Sequence, residues 1–571
     1  MAALAAPYRP RRPTETVLYE TVRQNLETFL AYAREHYSGG LPRYVEAELR
    51  GHLRCGVFAH RFVRAHCDGC GHDLLVALSC KARSICPSCA GRRMANTAAH
   101  LVDRVLPAVP VRQWVLSLPW ELRALAAFKA DVLSALVRIF IEAIFARYNR
   151  WARGQGLVGP SSGAVTHVQR FGSSLNLNAH FHVMVLDGVY TRDDSGTPTF
   201  HVAPSPTRDE LDAIVRRVSR RAVGWLERKG HVNGSSSEGS QDQPAQTSLE
   251  ACAAIAMGRG IVRALRDDPD AEDASGQTAD GHVGSGSAVE RDGFNVHAGI
   301  AIAADDDLGR ERLMRYGARP PLALDRLRRL HDGRIAYRIK NLRDGRAKHR
   351  VMTPLEFLAR LSALVPPPRY PLLRYHGALA PRSPWRRDIV PRPRDVKRVP
   401  CATPSMTPAA GSERRLRATS RSRSRTRDRI ARDERSAASK DPSAWSPTRA
   451  EVVSPLPMAA PPKLTADVET MRATDVSAVA PNVVSVKHWN RLLGGQLYAA
   501  TPRVDWARLL RRSFDVDVLI CSKCGGRLRI LGEVTDPAMG RLVLESLGMA
   551  AEDPCPARAR DPTLFDYLVA H

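Results

Sequence analysis

The chain has 571 residues, a formal net charge of +26 and eleven cysteines. This length allows two to four domains with at least one sizeable core, and the positive charge favours a polyanionic partner such as nucleic acid. No run of about eighteen apolar residues exists, so no transmembrane helix is expected, and the N-terminal residues lack the apolar core of a secretory signal. Most cysteines fall in Cys-x-x-Cys pairs, which in a cytoplasmic chain indicates metal binding rather than disulfides.

Two helices are predicted at the start of the chain. Apolar residues at helical spacing predict a helix from Thr14 to His36, which Gly39 and Gly40 end. A second, shorter helix is predicted from Leu41 to Leu53. Both belong to a predicted helical, zinc-binding and DNA-recognition domain over residues 14–105.

The next cysteines have the spacing Cys-x2-Cys-x15-Cys-x2-Cys, formed by Cys67, Cys70, Cys86 and Cys89. This spacing is typical of a structural zinc site, because each pair forms a tight turn that offers two thiolates and two turns complete a tetrahedron. We therefore predict that these four cysteines bind one Zn²⁺. Cys55 and Cys80 lie close by and are predicted to be buried thiols, although either remains an alternative ligand.

Basic residues surround the cysteine pattern, including Arg92 and Arg93. A basic zinc module is often a reader of DNA, so we predict that these two arginines contact DNA. The alternative is a zinc site that only stabilises the fold, with the basic residues exposed to solvent.

Residues 110–365 are predicted to form one α+β domain. Its first elements are a strand from Val111 to Leu118, an amphipathic core helix from Asp131 to Arg150 and a strand from Gly163 to Phe171. Successive side chains of a strand point to opposite faces. One face of the third element therefore carries Val165, His167 and Gln169.

The stretch from Asn176 to Asp187 is predicted to be the central strand of this domain. Alternation places four polar side chains on one face: Asn176, Asn178, His180 and His182. Two imidazoles at positions i and i+2 of a rigid strand can hold one metal ion between them. The alternative is two polar side chains on the solvent face of a half-buried strand. A hairpin with the preceding strand would place Gln169 beside the histidines.

A helix from Arg208 to Arg228 follows, and then a segment rich in Gly, Ser, Asp and Gln. Residues 231–290 are predicted to be a flexible insertion with one short helix from Leu249 to Leu265. The glycines of this insertion have no flanking strand and helix, so a dinucleotide-binding loop is rejected.

A strand from Gly293 to Ala303 leads to a helix from Leu308 to Gly317, which the acidic residues 305–307 cap. Tyr316 lies in the last turn of that helix, between Arg315 and Arg319. The remaining predicted elements are a basic hairpin and a helix, at Ile335 to Ile339, Ala347 to Met352 and Pro354 to Leu364.

The rest of the chain is predicted to have two parts. Residues 366–486 are rich in Pro, Arg and Ser and are predicted to be a disordered linker. Residues 487–550 are predicted to form a small C-terminal domain with a helix from Asp505 to Ser513 and a strand from Leu528 to Val534. Its Cys521 and Cys524 are either half of a zinc site, completed by Cys555 or a histidine, or two free thiols in a β-turn.

Cleavage of a phosphodiester by a tyrosine nucleophile is the chemistry that needs a metal-binding histidine pair, a tyrosine between arginines and a basic surface. A hard ion such as Mg²⁺ or Mn²⁺ would neutralise the charge that develops on the phosphate. Arg315 and Arg319 are predicted to contact the DNA and, with the metal, to favour the phenolate, because a neutral phenol is a poor nucleophile. The alternative for Tyr316 is an aromatic residue that packs at a helix end.

Several segments resemble the rolling-circle transposases of the His-hydrophobe-His (HUH) superfamily, in particular the bacterial insertion-sequence group numbered ninety-one. They are GAVTHVQRFG at 163–172, LNLNAHFH at 175–182, LDGVY at 186–190 and RYGARPP at 315–321. The segment CKARSICPSC at 80–89 resembles the zinc domain of that family, and two segments resemble its later blocks, at 374–381 and 518–527.

This resemblance implies an enzyme that nicks single-stranded DNA at transposon ends, forms a 5′-phosphotyrosine and transfers the strand by a rolling-circle route in the nucleoid of a bacterium. It implies Tyr316 as the nucleophile, His180 and His182 as ligands of the catalytic Mg²⁺ or Mn²⁺, and Gln169 as an auxiliary ligand. It also implies a structural Zn²⁺ and a ferredoxin-like antiparallel sheet with helices on one face. Position 312, four residues before the tyrosine, is an arginine, so the chain resembles a one-tyrosine type.

Three further functions remain open from the sequence. A replication initiator or relaxase would use the same chemistry, but the cysteine-rich N-terminal module favours the transposase. A non-catalytic, zinc-dependent DNA-binding regulator would need no nucleophile. An RNA-binding role would depend only on the Arg/Ser-rich linker. The predicted partners are single-stranded DNA at the transposon ends and target DNA, with no membrane.

Overall fold

The computed structural model describes residues 6–231, 247–257, 288–339, 349–391, 506–514, 516–551 and 554–560. Most of the predicted insertion at 231–290 and residues 392–486 of the predicted disordered linker lie outside these residues. Within them, no helix combines the length and the apolar character that crossing a membrane would require.

The helices of the described residues are numbered in chain order. They are α1 (Val17–His36), α2 (Arg43–Arg54), α3 (Pro87–Arg104), α4 (Trp120–Phe128), α5 (Ala130–Gly154), α6 (Arg208–Arg228), α7 (Ser248–Ala256), α8 (Asp307–Gly317), α9 (Pro354–Leu364), α10 (Arg386–Ile389), α11 (Trp506–Phe514) and α12 (Pro537–Ser546).

The strands are numbered in the same way. They are β1 (Ala6–Pro7), β2 (Phe62–Cys67), β3 (Asp73–Ala77), β4 (Val111–Ser117), β5 (Gly163–Phe171), β6 (Leu177–Leu186), β7 (Gly188–Arg192), β8 (Pro198–Val202), β9 (Ala288–Arg291), β10 (Phe294–Ile302), β11 (Leu327–Arg329), β12 (Ile335–Arg338), β13 (His349–Met352), β14 (Leu373–Gly377), β15 (Val516–Asp517) and β16 (Leu528–Val534).

A six-stranded sheet with the order β14-β5-β6-β4-β10-β9 forms the centre of the fold. Every pair of neighbours in this sheet is antiparallel, which confirms the predicted α+β class with an antiparallel sheet. The predicted hairpin of β5 and β6 is also confirmed, with Gln169 opposite His180. The edge strand β14 lies in a segment that the sequence analysis placed in the disordered linker at 366–486. Prolines at 366–368 and 371 concealed this short strand in the sequence.

The two faces of β6 lie in different surroundings. Ala179, Phe181 and Val183 are fully buried in the main apolar core, which also contains the apolar stripe of α5, including Phe140. The face that carries the histidines is covered by α8, because Met314 of that helix shares a second apolar cluster with Met184. One side of the sheet is therefore buried against the apolar core, and the other, polar side contacts the helix that carries the tyrosine.

A second, three-stranded sheet has the order β16-β2-β3. Its strand β16, near the C-terminus, pairs antiparallel with β2, so that Leu528 lies opposite Cys67. Leu544 of α12 packs against Phe62 and Leu75 of the same sheet. The described C-terminal segment is thus part of a sheet with the N-terminal domain, which differs from the predicted separate domain at 487–550.

Candidate nuclease site and cysteine clusters

His180 and His182 lie side by side on the polar face of β6, with ring centroids 4.9 Å apart. Both are buried, with exposed fractions of 9 % and 3 %. On β5, His167 lies opposite His182 and Gln169 lies opposite His180. The polar face predicted from alternation therefore exists, but it is inside the protein rather than in solvent.

Hydrogen bonds hold both imidazole rings in defined orientations. The Nδ1–H of His180 donates to the carbonyl oxygen of Asn178 at 2.9 Å, which leaves the lone pair on Nε2. Nε2 of the Gln113 amide lies 2.7 Å from Nδ1 of His182, and in this orientation the amide N–H donates to Nδ1 and the ring proton is on Nε2. A rotation of the amide that exchanges its oxygen and nitrogen lets Nδ1–H donate to the oxygen, and Nε2 of His182 then carries the lone pair. Nε2 of His182 is buried and has no hydrogen-bond partner among the described residues.

Burial keeps these histidines neutral. It lowers the pKa of His180 to about 4, with nearby arginines acting in the same direction. Burial, followed by the neighbouring His180 and Arg319, lowers the pKa of His182 well below its ordinary value. Neutral imidazole is the form that binds a metal ion, so the pair is in the ligand form at neutral pH.

Tyr316, near the end of α8, lies against this pair. Its ring meets that of His182 edge to face, with centroids 5.2 Å apart and an interplanar angle of 88°. The amide of Gln169 donates to the carbonyl oxygens of Tyr316 and Gly317, at 2.8 and 3.1 Å. A Cβ added at Gly317 would lie 2.8 Å from the ring of His167, so this position needs a glycine for α8 to approach the sheet.

Arg319 connects the tyrosine to Gln169. Its guanidinium carbon lies 4.6 Å from the centroid of the Tyr316 ring, and its Nε donates to Oε1 of Gln169 at 3.2 Å. The amide of Gln169 is therefore already used to position α8 and Arg319. A metal bond to Oε1 would take the second lone pair of that oxygen.

Arg315, predicted to contact DNA, does not lie on the surface. Its side chain is buried and donates to Glu311, at 2.6 Å from Nη2 and 3.0 Å from Nε, and Nη2 also donates to Ser513 of α11 at 3.1 Å. Consecutive helix residues are rotated by about 100°. Arg315 therefore faces the interior although its neighbour Tyr316 faces the histidines.

Arg92 and Arg93 are exposed on α3, as a DNA contact requires. Arg93 and Arg319 both line a pocket of about 140 Å³, together with Arg83, Phe171 and Gly317. The pocket joins the zinc-domain helix to the end of α8 and has several positive side chains, which suits a phosphate-bearing ligand.

The cysteines are grouped differently from the prediction of one site formed by Cys67, Cys70, Cys86 and Cys89, so that grouping is wrong. One cluster contains Cys55, Cys80, Cys86 and Cys89. Its sulfur atoms are 3.4 Å apart for Cys55 and Cys86, 3.4 Å for Cys80 and Cys89, and 3.6 Å for Cys55 and Cys89. Cys55 and Cys80 thus lie at ligand positions of this cluster, which is the alternative role that the sequence analysis left open for them.

The other cluster contains Cys67, Cys70, Cys521 and Cys524. The sulfur atoms of Cys67 and Cys524 are 3.5 Å apart, and those of Cys70 and Cys521 are 3.6 Å apart. Four thiols at such distances are typical of a zinc site. The two clusters support structural Zn²⁺ in the N-terminal domain and in contact with the C-terminal segment.

Two polar residues near the histidines were missed by the sequence analysis. Gln113 of β4 bonds to His182, and His297 of β10 lies opposite Val115, the β4 neighbour of His182. Both lie on separate strands, so only the order and register of the sheet bring them to this face. The alternation of side chains within one strand does not show that these two residues reach the histidine face.

Two family models match the chain. Residues 163–387, which contain the histidine pair and the tyrosine, match Y2_Tnp, described as "Putative transposase". Residues 22–118, which contain six of the clustered cysteines, match Zn_Tnp_IS91, described as "Transposase zinc-binding domain". No curated protein and no solved structure matches the chain. The two models together cover more than half of the sequence, and the chain belongs to the IS91-type transposases with an N-terminal zinc-binding domain.

Proposed function

We propose that this transposase nicks single-stranded DNA at the ends of its element through Tyr316 and becomes covalently attached to the 5′-phosphate, as a step of rolling-circle transposition. The observation that carries the proposal is the position of the Tyr316 ring between a neutral, buried histidine pair and a cation. Its ring centroid is 5.2 Å from that of His182 and 4.6 Å from the guanidinium carbon of Arg319. A tyrosine that only packed at a helix end would need neither neighbour.

His180 and His182 would hold the catalytic Mg²⁺ or Mn²⁺ through their Nε2 atoms. The donor set fits this role, because the bond to Asn178 leaves the lone pair of His180 on Nε2, and Nε2 of His182 is buried without a protein partner. When bound, the ion neutralises charge that develops on the scissile phosphate. Gln169 is a candidate auxiliary ligand on the neighbouring strand.

The reaction balances with one tyrosine. The phenol of Tyr316 loses its proton and its oxygen attacks the phosphorus, while the bond from phosphorus to the 3′ oxygen breaks and the released oxygen takes up a proton. The phosphotyrosine keeps the energy of the broken bond, so an incoming 3′-hydroxyl can later displace the tyrosine. Arg319 places a positive charge beside the Tyr316 ring, and Gln169 fixes the backbone of Tyr316 and Gly317.

The substrate strand would follow the basic pocket beside the end of α8. Arg93 and Arg319 line this pocket, and Arg92 lies exposed on the same helix as Arg93. Guanidinium groups bind phosphates in bidentate fashion, so they position a strand without reading its sequence.

A covalent-adduct assay tests the proposal. The full-length, zinc-loaded protein is incubated with single strands from both element ends and Mg²⁺ or Mn²⁺, and a denaturing gel detects protein attached to DNA. We expect an adduct with the wild type, none with Tyr316→Phe, and about 100-fold less with His180→Ala, since a metal supplies several kcal/mol to the transition state. Tyr375→Phe is the matched control, because Tyr375 is a half-buried tyrosine on β14 of the same sheet.

The absence of an adduct with every terminal strand would contradict the proposal if the protein is folded, zinc-loaded and able to bind DNA. Such a result would favour a DNA-binding regulator. An adduct that persists in Tyr316→Phe would leave the nuclease chemistry in place and move the nucleophile elsewhere.

A further inference from the structure

The cluster of Cys67, Cys70, Cys521 and Cys524 joins two parts of the chain that lie more than four hundred residues apart. We propose that these cysteines form a second structural zinc site, the terminal clasp, which fastens the C-terminal segment at 516–551 to the N-terminal domain. It is distinct from the cluster of Cys55, Cys80, Cys86 and Cys89, so the chain holds two zinc ions.

The two halves of the terminal clasp are built alike. In each Cys-x-x-Cys-Gly turn, the glycine N–H donates to the carbonyl oxygen of the first cysteine, at 2.8 Å from Gly71 to Cys67 and 3.0 Å from Gly525 to Cys521. Both glycines adopt left-handed backbone angles, with φ of +70° and +72°. In the second turn, Gly526 also donates its N–H to the sulfur of Cys524 at 3.4 Å. Both turns therefore present two sulfurs in the form of a zinc knuckle.

The sulfur–sulfur distances fit a shared zinc ion and are too long for a disulfide. A tetrahedron with Zn–S bonds of about 2.3 Å places its sulfurs about 3.8 Å apart. The sulfurs of Cys67 and Cys524 are 3.5 Å apart and those of Cys70 and Cys521 are 3.6 Å apart. A disulfide would need about 2.0 Å, and all four cysteines are free.

The face of the sheet beneath the terminal clasp has little apolar core, whereas the opposite face packs against α12 through Phe62, Leu75 and Leu544. The cluster beneath it consists of five small or medium side chains, with partly buried Tyr8 and Val76 packed against them: Ala65, Cys67, Leu74, Cys521 and Leu528. Such a small core stabilises a fold weakly without a metal or a disulfide. A zinc ion would supply the missing free energy, because binding to a site that the unfolded chain lacks stabilises the folded state.

Contacts lead from the terminal clasp to the helix that carries the tyrosine. Asp517, close to the second knuckle, accepts bonds from Arg511 of α11 and from Arg527. The next residue of α11, Arg512, pairs with Glu311 of α8 at 2.9 Å and with Asp103 of α3. α11, which precedes the segment held by the terminal clasp, thus touches both the zinc-domain helix and the tyrosine helix.

The two clusters differ in access to solvent. Cys70 and Cys524 are exposed, whereas Cys55, Cys86 and Cys89 are buried. A chelator should therefore remove the ion of the terminal clasp first, which makes the two ions distinguishable in one protein.

Metal counting on the full-length protein tests the site. We expect two zinc ions per chain in the wild type and one in Cys524→Ser. Cys555→Ser is the matched control and should keep two, because Cys555 is an exposed cysteine of the C-terminal residues that belongs to neither cluster. One ion in the wild type, or two in Cys524→Ser, would overturn the second site. This count does not depend on nuclease activity.

Amide hydrogen exchange of β16 tests the fastening. The amides of Leu528–Val534 that pair with β2 should exchange at least about 10-fold faster in Cys524→Ser than in Cys555→Ser, because the strand would open locally. If β16 stays equally protected after the ion is lost, sheet pairing alone fastens the segment and the zinc does not.

Discussion

The histidine face of the central sheet and the two cysteine clusters are organised by different forces. His180 and His182 sit on one strand in the middle of a six-stranded sheet, and Asn178 and Gln113 orient their rings without any metal. Each cysteine cluster instead gathers thiols from separate segments around a small core. Under the proposed function, a metal at the histidines would serve chemistry, whereas a metal at the cysteines would serve folding.

The largest expected effect is the loss of a ligand from the buried cysteine cluster. Cys86→Ser should prevent the N-terminal domain from folding, because structural zinc binding contributes about 10 kcal/mol or more to the folded state. Far-ultraviolet circular dichroism with zinc counting measures this loss of folding.

The matched variant at the histidines, His182→Ala, should keep its fold, with a loss of about 1–3 kcal/mol in the free energy of unfolding from an unpaired buried amide. Equal unfolding of both variants would remove the distinction between the two regions.

Arg512 should give the next largest effect, because it neutralises two buried carboxylates. Arg512→Met leaves Asp103 and Glu311 without this cation and should lower the free energy of unfolding by about 3–5 kcal/mol, measured by denaturant titration. The matched control is Arg529→Met, which removes an exposed ion pair with Asp68 and should leave stability unchanged. Similar losses in both variants would contradict the role assigned to burial.

Gln113 sharpens the comparison at the histidines. Gln113→Leu removes the partner of His182 Nδ1 and should weaken Mn²⁺ binding about 10- to 100-fold, because the metal-binding tautomer carries Nδ1–H, which donates to the Gln113 amide when its oxygen faces the ring. Isothermal titration with Mn²⁺ measures the affinity. Gln155→Leu, at an exposed position after α5, serves as control. Unchanged affinity in Gln113→Leu would show that β6 alone orients the ring.

The smallest effect concerns a histidine outside both metal regions. Burial lowers the pKa of His376 to about 4, and its Nε2 lies 2.9 Å from Thr166 Oγ1. The unfolded chain, with a histidine pKa near 6.5, binds more protons between pH 6.5 and 4, so the free energy of unfolding should decrease as pH falls through that window. We expect a loss of about 2 kcal/mol or less, because the side chain is only partly buried. His376→Gln should show a shallower pH dependence than the wild type, and an identical profile would contradict the assignment.

The sequence predicted the histidine face well because its signals are local. Alternation along β5 and β6, with a short glycine-containing turn between them, defines the hairpin and the shared face of Gln169 and His180. The approach of α8 is a tertiary event, so the sequence placed Tyr316 on a helix without placing it against His182. For the same reason it could not separate the buried Arg315 from the half-exposed Arg319.

The cysteine grouping failed for a different physical reason. Every Cys-x-x-Cys turn offers the same two thiolates, so the spacing identifies knuckles but not which knuckles share an ion. The turn at Cys67 and Cys70 finds its partner at Cys521 and Cys524, through the pairing of β16 with β2. Strand pairing across such a separation leaves no periodic signal in the sequence.

Identification of the residue attached to DNA tests the central claim most directly. The adduct formed with a terminal single strand is digested with nuclease and protease, and mass spectrometry locates the modified residue. The account predicts a phosphotyrosine linked to nucleotide at Tyr316, on the peptide that ends α8. Attachment at another tyrosine, such as Tyr375, or at a serine would contradict it.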